Sequence, residues 1–160
     1  MARAALFAAL MAVSAWLSIP LPPVRFTLQT LAMLLALGLL GGKWGSVSIG
    51  LYLLLGVVGL PVFSGFRSGI GAMLDATGGF LWGFLLGGLG YWLAERLGKL
   101  AAMILFLLIA YSCGALWFLV YAPGSGFWAA VTVCVLPYLL PEAVKLLLAN
   151  MLVKRIRRNI

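Results

Sequence analysis

The sequence predicts an all-α integral membrane protein: a single domain over residues 1–160, six transmembrane helices, both termini cytoplasmic. Three observations predict it. Of 160 residues, 65% are hydrophobic and only 9% are charged, whereas water-soluble domains run near half apolar and a quarter charged. So few charged side chains cannot solvate a globular surface. The apolar residues fall in runs separated by proline, glycine or charge, and at roughly 20 residues per span the chain has room for about six. The net charge is +8. In a soluble protein that would suggest nucleic acid, but here the cations gather at the ends of apolar runs, where Lys and Arg report the side facing the cytoplasm.

The first run, about Ala4 to Ile19, follows Arg3 and looks like a signal peptide. Because everything downstream is apolar too, it reads as a retained helix, ended by the cluster Pro20 to Pro23, since proline stops helices. A second span runs from about Thr27 to Leu40, broken by Gly41, Gly42 and Lys43, and a third from about Ser46 to Gly59. The stretch from Leu60 to Gly79 holds Pro61, Arg67, Asp75 and many glycines. It is too polar and flexible to cross lipid, and loops of this length inside compact domains are usually functional or disordered.

A fourth span covers about Phe80 to Ala94, followed by Glu95, Arg96 and Lys99. The fifth covers about Leu100 to Tyr121, after which Pro123, Gly124, Ser125 and Gly126 turn the chain. Phe127 to Val153 is too long for one straight span and contains Pro137 and Pro141. Proline is tolerated in the first turn of a helix but not in its middle, so the expectation is a short apolar segment to about Tyr138 and a sixth helix beginning at Pro141. Six spans put Arg3, Lys43, Arg96, Lys99, Lys154, Arg155, Arg157 and Arg158 on one side, with Arg25 and Arg67 opposite and Lys145 within a helix. That asymmetry places both termini in the cytoplasm and the long loop outside.

Composition also limits the chemistry. There is no histidine and there are only three acids, Asp75, Glu95 and Glu142. No metal site and no cofactor is expected. Zincin, Ser–His and P-loop motifs are all missing, so the chain is not expected to be an enzyme, and uphill transport would need energy from another subunit. Cys113 and Cys134 are isolated in apolar runs and read as small buried residues.

Glu142 and Lys145 are the most informative pair. At i, i+3 they share a helix face and can pair, and ionisable residues within a membrane segment are costly and usually functional. The plainer alternative is an ion pair that snorkels at the interface and anchors the helix. Placed in the first turn of the last helix, the pair suits a small polar ligand with both donors and acceptors. Arg67 and Asp75 belong to the glycine-rich loop, a candidate lid, although each taken alone reads more simply as a solvated charge. Gly78 and Gly79 would let a ligand approach the backbone closely. Thr27, Gln29 and Thr30 open the second span after Arg25, and Gln29 either satisfies a neighbouring helix or faces a ligand. Tyr52, Phe63, Trp82 and Tyr138 are candidates for lining an apolar pocket or for an interfacial belt. Ala4, Ala8 and Ala12 form a small-residue stripe, either packed internally or offered to another membrane subunit.

Three stretches carry a family resemblance. Arg25-Phe26-Thr27-Leu28-Gln29-Thr30-Leu31-Ala32 is close to F-T-L-Q-T-L-A. Tyr52-Leu53-Leu54-Leu55-Gly56, through Gly59-Leu60-Pro61-Val62-Phe63-Ser64-Gly65, is close to Y-L-L-L-G-x-x-G-L-P-V-F-x-G. Pro137-Tyr138-Leu139-Leu140-Pro141-Glu142-Ala143-Val144-Lys145 is similar to P-F-L-P-G-D-L-I-K. In order and spacing these resemble the BioY family, the biotin-binding S components of energy-coupling factor (ECF) vitamin transporters. Two departures stand out: Asp75-Ala76-Thr77-Gly78-Gly79 replaces G-P-T-G-G, and Leu140-Pro141-Glu142 replaces P-G-D, lengthening the carboxylate arm by one methylene.

The resemblance implies a six-helix S component in the cytoplasmic membrane that binds biotin from outside, under its connecting loops. Glu142 and Lys145 take the family's Asp and Lys positions, and Ala4, Ala8 and Ala12 match its docking stripe for the energy-coupling transmembrane subunit, which works with two ATPase subunits. Glu142 would accept ureido N–H bonds, Lys145 would donate to a ligand oxygen, and Arg67 or Arg25 would meet the carboxylate. The other readings are an S component for another vitamin and a membrane scaffold that transports nothing.

Overall fold

The computed structural model describes residues 1–20, 25–124 and 126–159. Helix α1 (Ala2–Trp16) leads into an antiparallel ribbon of β1 (Ser18–Ile19) and β2 (Phe26–Thr27), with Ser18 opposite Thr27 and Ile19 opposite Phe26. There follow α2 (Gln29–Leu40), α3 (Gly42–Val58), the short α4 (Ile70–Leu74), α5 (Gly78–Ala94), a 3-10 turn at Glu95–Leu97, α6 (Lys99–Tyr121), α7 (Phe127–Cys134) and α8 (Leu136–Arg158). Pro22, Pro23 and Ser125, expected to mark breaks, lie outside the described residues.

Helices α1, α2, α3, α5, α6 and α8 follow the order of the six expected spans, but their lengths differ in a way that matters. Helices α6 and α8, 23 residues each, are long and apolar enough to cross a membrane; at 1.5 Å per residue each reaches about 35 Å. Helix α2 has 12 residues, or about 18 Å, short of a hydrocarbon core of about 30 Å. It is instead enclosed by protein. Ala32, Met33, Leu34, Ala36 and Leu37 are all buried, as expected for a helix apolar all round, with α1, α3 and α8 packed about it.

The elements differ from expectation at several points. Helix α1 stops at Trp16, and Ser18 and Ile19 pair as a strand. Helix α3 begins at Gly42 and not near Ser46, because the turn needs only Gly41, whose φ of 83° is easy for glycine. The orphan N–H of Gly42 donates to Glu95 Oε2 at 2.6 Å, one of the partners a helix start lacks within itself. The α5–α6 pair closes over a second small-residue stripe. Cβ atoms added at Gly79, Gly83 and Gly87 would lie 2.1 Å from Trp117 Cβ, 2.8 Å from Ala110 and 2.9 Å from Phe106, so only glycine permits this approach.

The largest correction concerns α8. The break falls at Val135 and not between Tyr138 and Pro141, and α8 is continuous from Leu136. Pro137 takes the first turn, where its missing N–H costs nothing. Pro141 lies inside the helix at the expense of one backbone bond. Glu142 and Lys145 therefore sit in the second and third turns, about 9 Å and about 13 Å along the axis from Leu136, and not in the first turn.

The alanine stripe is corrected too. Ala4, Ala8 and Ala12 are 1%, 1% and 7% exposed, facing inward where α1 packs on α2 and α3. The stripe is used for internal packing. The small residues that α1 leaves exposed are Ala2, Ala5 and Ala9.

Around this core, large apolar side chains point outward, among them Leu93 (82% exposed), Val120 (77%) and Leu140 (77%). A soluble monomer rarely tolerates such a surface. The polar contacts sort to the two ends. Arg157 reaches the Leu39 carbonyl at 3.4 Å and Met1 to Ala4 line one cleft with Leu39, Leu40 and Trp44, so the N-terminus and the end of α8 share one end of the bundle. The loop over residues 59–77 closes the other.

Candidate functional site

Three segments far apart in sequence meet at the loop-covered end: β2 and the start of α2, the 59–77 loop, and the second and third turns of α8. The ion pair of Glu142 and Lys145 lies among them, 2.6 Å apart, with side chains 8% and 5% exposed. Burying two charges is costly unless their remaining hydrogens and lone pairs are met, and the ribbon brings the partners. Lys145 Nζ donates to the Thr27 carbonyl at 2.6 Å, to Thr30 Oγ1 at 3.1 Å and to Glu142 Oε1 at 2.6 Å. It also stands 4.2 Å from the centre of the Phe26 ring, within reach of a cation–π contact. Thr30 donates its own hydroxyl to Glu142 Oε1 at 2.9 Å.

An ammonium has three hydrogens, and here all three have protein acceptors. The expected donation from Lys145 to a ligand is therefore not available in this conformation. What stays open lies one atom further on. Glu142 Oε2 and Gln29 Nε2 are both buried and make no well-formed hydrogen bond, although the Tyr111 hydroxyl stands within interaction range of the Glu142 carboxylate. Both residues line a narrow cavity of about 60 Å3. A buried acceptor and a buried donor on one cavity that lack full protein partners are costly and complementary to a ligand offering both.

Aromatic and loop residues complete the cavity: Phe26, Phe63, Phe80, Phe84, Tyr111 and Tyr138 supply apolar surface, with Arg25, Thr27, Ser64, Arg67 and Thr77 at its edge. Of the residues singled out from sequence, Arg25, Thr27, Gln29, Thr30, Phe63, Arg67, Tyr138 and Glu142 are thus brought together. Lys145, Tyr52 and Gly79 are not among the lining. Lys145 stands behind Glu142 and Thr30. Tyr52 is fully buried, its hydroxyl donating to the Val62 carbonyl at 3.2 Å and its ring edge-on to Phe63 at 5.6 Å, so it supports the loop from beneath. Gly79 is at the α5–α6 contact.

The loop is held as a strap. Arg67 pairs with Asp75 and donates to Thr77 Oγ1 at 2.8 Å and to the Ser64 carbonyl at 3.3 Å. Its charge is neutralised within the loop. Arg25 has no ion pair among the described residues and lies against Gly65, where an added Cβ would fall 2.7 Å from its guanidinium. Two indoles tie the strap to the bundle. Trp16 of α1 donates to the Pro61 carbonyl at 2.8 Å and stacks on Phe66 at 5.3 Å; Trp117 of α6 donates to the Asp75 carbonyl at 3.0 Å. Phe66 has a φ of 59°, a conformation uncommon for residues other than glycine.

Sequence reasoning missed Phe26, Phe80, Phe84 and Tyr111 as lining, and both tryptophan ties. Phe26 adjoined a residue already singled out. Tyr111 sits mid-run in an apolar helix and carries no local signal. Among the described residues no group of three His, Cys, Asp or Glu side chains is placed to hold a metal ion.

Comparison with known proteins agrees with this architecture. The model of the BioY family matches residues 1–160. The biotin transporter BioY of Thermotoga maritima is 36% identical, over 98% of this chain and 94% of that protein. The probable biotin transporter BioY of Pyrococcus horikoshii is 38% identical, over 97% and 94%. Among solved structures, the S-component for biotin from an ECF-type ABC transporter superposes with a TM-score of 0.88 at 25% identity, covering 98% of this chain and 89% of the other.

Proposed function

The chain belongs to the BioY family, and on that premise we propose that it is a membrane-embedded S component that binds biotin and serves its uptake. The observation that carries the reading at the level of the site is the pair of buried atoms without full protein partners, Glu142 Oε2 and Gln29 Nε2, on a cavity with aromatic walls. A cyclic urea offers N–H donors flanking a carbonyl acceptor. Glu142 accepts a ureido N–H, and Gln29 donates to the ureido oxygen or an adjacent acceptor. Lys145 and Thr30 hold the carboxylate in place, a positioning task. The aromatic walls cover the fused rings, and the unpaired Arg25 meets the valerate carboxylate at the mouth, since Arg67 is already occupied by Asp75.

A bicyclic ligand with a carboxylated chain is larger than a cavity of about 60 Å3, which holds only a few waters. Binding therefore moves the strap, and the ties at Trp16 and Trp117 are where that motion is controlled. Such lids sequester a ligand from water and often set the rate of its release.

In this reading α1, α2, α3, α5, α6 and α8 form the membrane body. The short α2 is accommodated because most of its residues are buried in protein and not exposed to lipid. The chain termini and the cation-rich end face the cytoplasm, and the strap faces outward. Energy comes from an ECF module with a transmembrane coupling subunit and two ATPase subunits, and no chemistry is done on the ligand.

Calorimetry on the detergent-purified protein tests the core of this, with thiamin and riboflavin as controls. Saturable binding of biotin alone is expected. A folded protein that binds a different vitamin, or none, overturns it.

A further inference from the structure

The end of the bundle opposite the strap carries a second concavity that the ligand site leaves unexplained. The start of α6 and the end of α8 enclose a groove of about 800 Å3. Lys99, Lys154, Arg157 and Arg158 stand on it, beside the exposed apolar side chains of Leu97 and Leu100. None of the four cations forms an ion pair with Asp or Glu among the described residues. The nearest acid in sequence, Glu95, has one oxygen committed to the Gly42 N–H. Arg157 spends one hydrogen bond on the Leu39 carbonyl, which fixes its guanidinium beside the groove without neutralising it.

From this charge and shape we propose that the groove binds the headgroup of an anionic phospholipid, its phosphate among Lys99, Lys154 and Arg157 and the first carbons of its acyl chains on Leu97 and Leu100. A scattered positive face would attract an anionic leaflet without a preferred position. Here the cations converge from two helices onto one cleft with apolar side chains beside them, the arrangement by which basic pockets between membrane helices hold acidic headgroups. Unpaired cations also repel one another, and a bound phosphodiester relieves that repulsion. The bound lipid bridges α6 and α8, the two helices that also flank the ligand cavity through Tyr111 and Glu142. This inference rests on the membrane reading above.

The test uses the full chain in nanodiscs of mixed phosphatidylglycerol and phosphatidylcholine, released for native mass spectrometry, with biotin binding measured on the same preparations. Phosphatidylglycerol should be retained over phosphatidylcholine. The variant K99Q/K154Q/R157Q should lose that retention by about tenfold or more, as expected when several cations leave an anionic surface. The variant K43Q/R96Q, which removes cations from the same end but outside the groove, should retain lipid within about twofold of the parent. If the triple variant does not fold, K154Q/R158Q gives the same comparison with Arg157 left in place. Equal losses in the groove and control variants overturn the proposal, as does retention of both lipids alike. So does displacement of the lipid by millimolar inorganic phosphate, which would mark a free-anion site. Loss of assembly with the coupling module at unchanged lipid retention would make the groove a protein interface and also overturn it. Biotin binding reads the other proposal independently: groove-dependent lipid retention by a protein that binds no biotin keeps this inference and removes that one.

Discussion

Helix α8 treats cationic side chains in two opposite ways along its length. Near its start, Lys145 is 4% exposed and has three acceptors and an aromatic face. Some nine residues later Lys154, Arg155, Arg157 and Arg158 are exposed and have no carboxylate partner among the described residues. Burial explains the difference. A charge in low dielectric persists only if it is fully paired, whereas one at an aqueous or headgroup surface stays charged alone. The contrast also locates the ligand, because at the buried end pairing is complete for the ammonium and incomplete for the carboxylate. Glu142 Oε2 and Gln29 Nε2 are exceptions to a rule their neighbours obey.

The strongest way to break the contrast is to remove the buried cation. Lys145→Met leaves the buried Glu142 carboxyl without its counter-ion, a change of the kind that costs about 3–5 kcal/mol. The detergent-solubilised protein should melt many degrees lower and lose biotin binding. Adding Glu142→Gln to the same chain removes the stranded carboxyl, so the double variant should recover most of the melting temperature but not the binding. Alone, Glu142→Gln keeps shape and exchanges a charged acceptor for a neutral one. Hydrogen bonds to charged groups are worth about 1.5–3 kcal/mol, so biotin affinity should fall roughly tenfold to a hundredfold in calorimetry. A Lys145→Met protein that melts with the parent would mean that this end is wetter than its geometry shows.

Much of the contrast was legible before the structure. The i, i+3 spacing of Glu142 and Lys145, the order of the main helices and the loop between Gly59 and Gly78 all follow from local pattern. The partners of the pair do not, because Thr27 and Thr30 lie more than a hundred residues away, and only tertiary packing brings them to Lys145. Pro141 misled for a related reason. Proline marks a probable boundary, but Pro137 supplied a sufficient helix start, and packing then carried α8 through the second proline. On α1 the sequence offers adjacent small faces, Ala4, Ala8 and Ala12 beside Ala5 and Ala9. Which of them turns inward is decided by α2 and α3, not by α1 itself.

Packing between the two ends gives a smaller effect. Gly83→Val would drive a side chain into Ala110 and Cys113 of α6, where even a Cβ is 2.8 Å and 3.0 Å from its neighbours. Overpacking of this kind costs about 1–3 kcal/mol. The melting temperature should fall, with less loss of biotin affinity than Glu142→Gln produces, since Gly83 lies outside the cavity lining. A larger loss of affinity than of stability would show that the α5–α6 spacing sets the cavity width.

Loosening the strap should do less again. Trp16→Phe keeps an aromatic ring against Phe66 but deletes the hydrogen bond to the Pro61 carbonyl. A neutral hydrogen bond is worth about 0.5–1.5 kcal/mol net. Its loss should raise the biotin dissociation rate severalfold in stopped-flow measurements, with melting nearly unchanged. An unchanged rate would place control of the strap at Trp117.

The smallest effect belongs to the exposed end of α8. Arg155 is exposed and lies outside the groove lining. Surface substitutions away from special features change stability by about 0.5 kcal/mol or less, so Arg155→Gln should leave both melting and biotin affinity where they were. The same change of charge that strands a carboxylate at Lys145 is then nearly silent fifteen angstroms further along one helix (ten residues at about 1.5 Å each), and side-chain identity alone predicts neither result. A substantial loss of biotin affinity in Arg155→Gln would couple the two ends of α8, and the burial of Glu142 would then be only part of what holds its carboxylate toward the ligand.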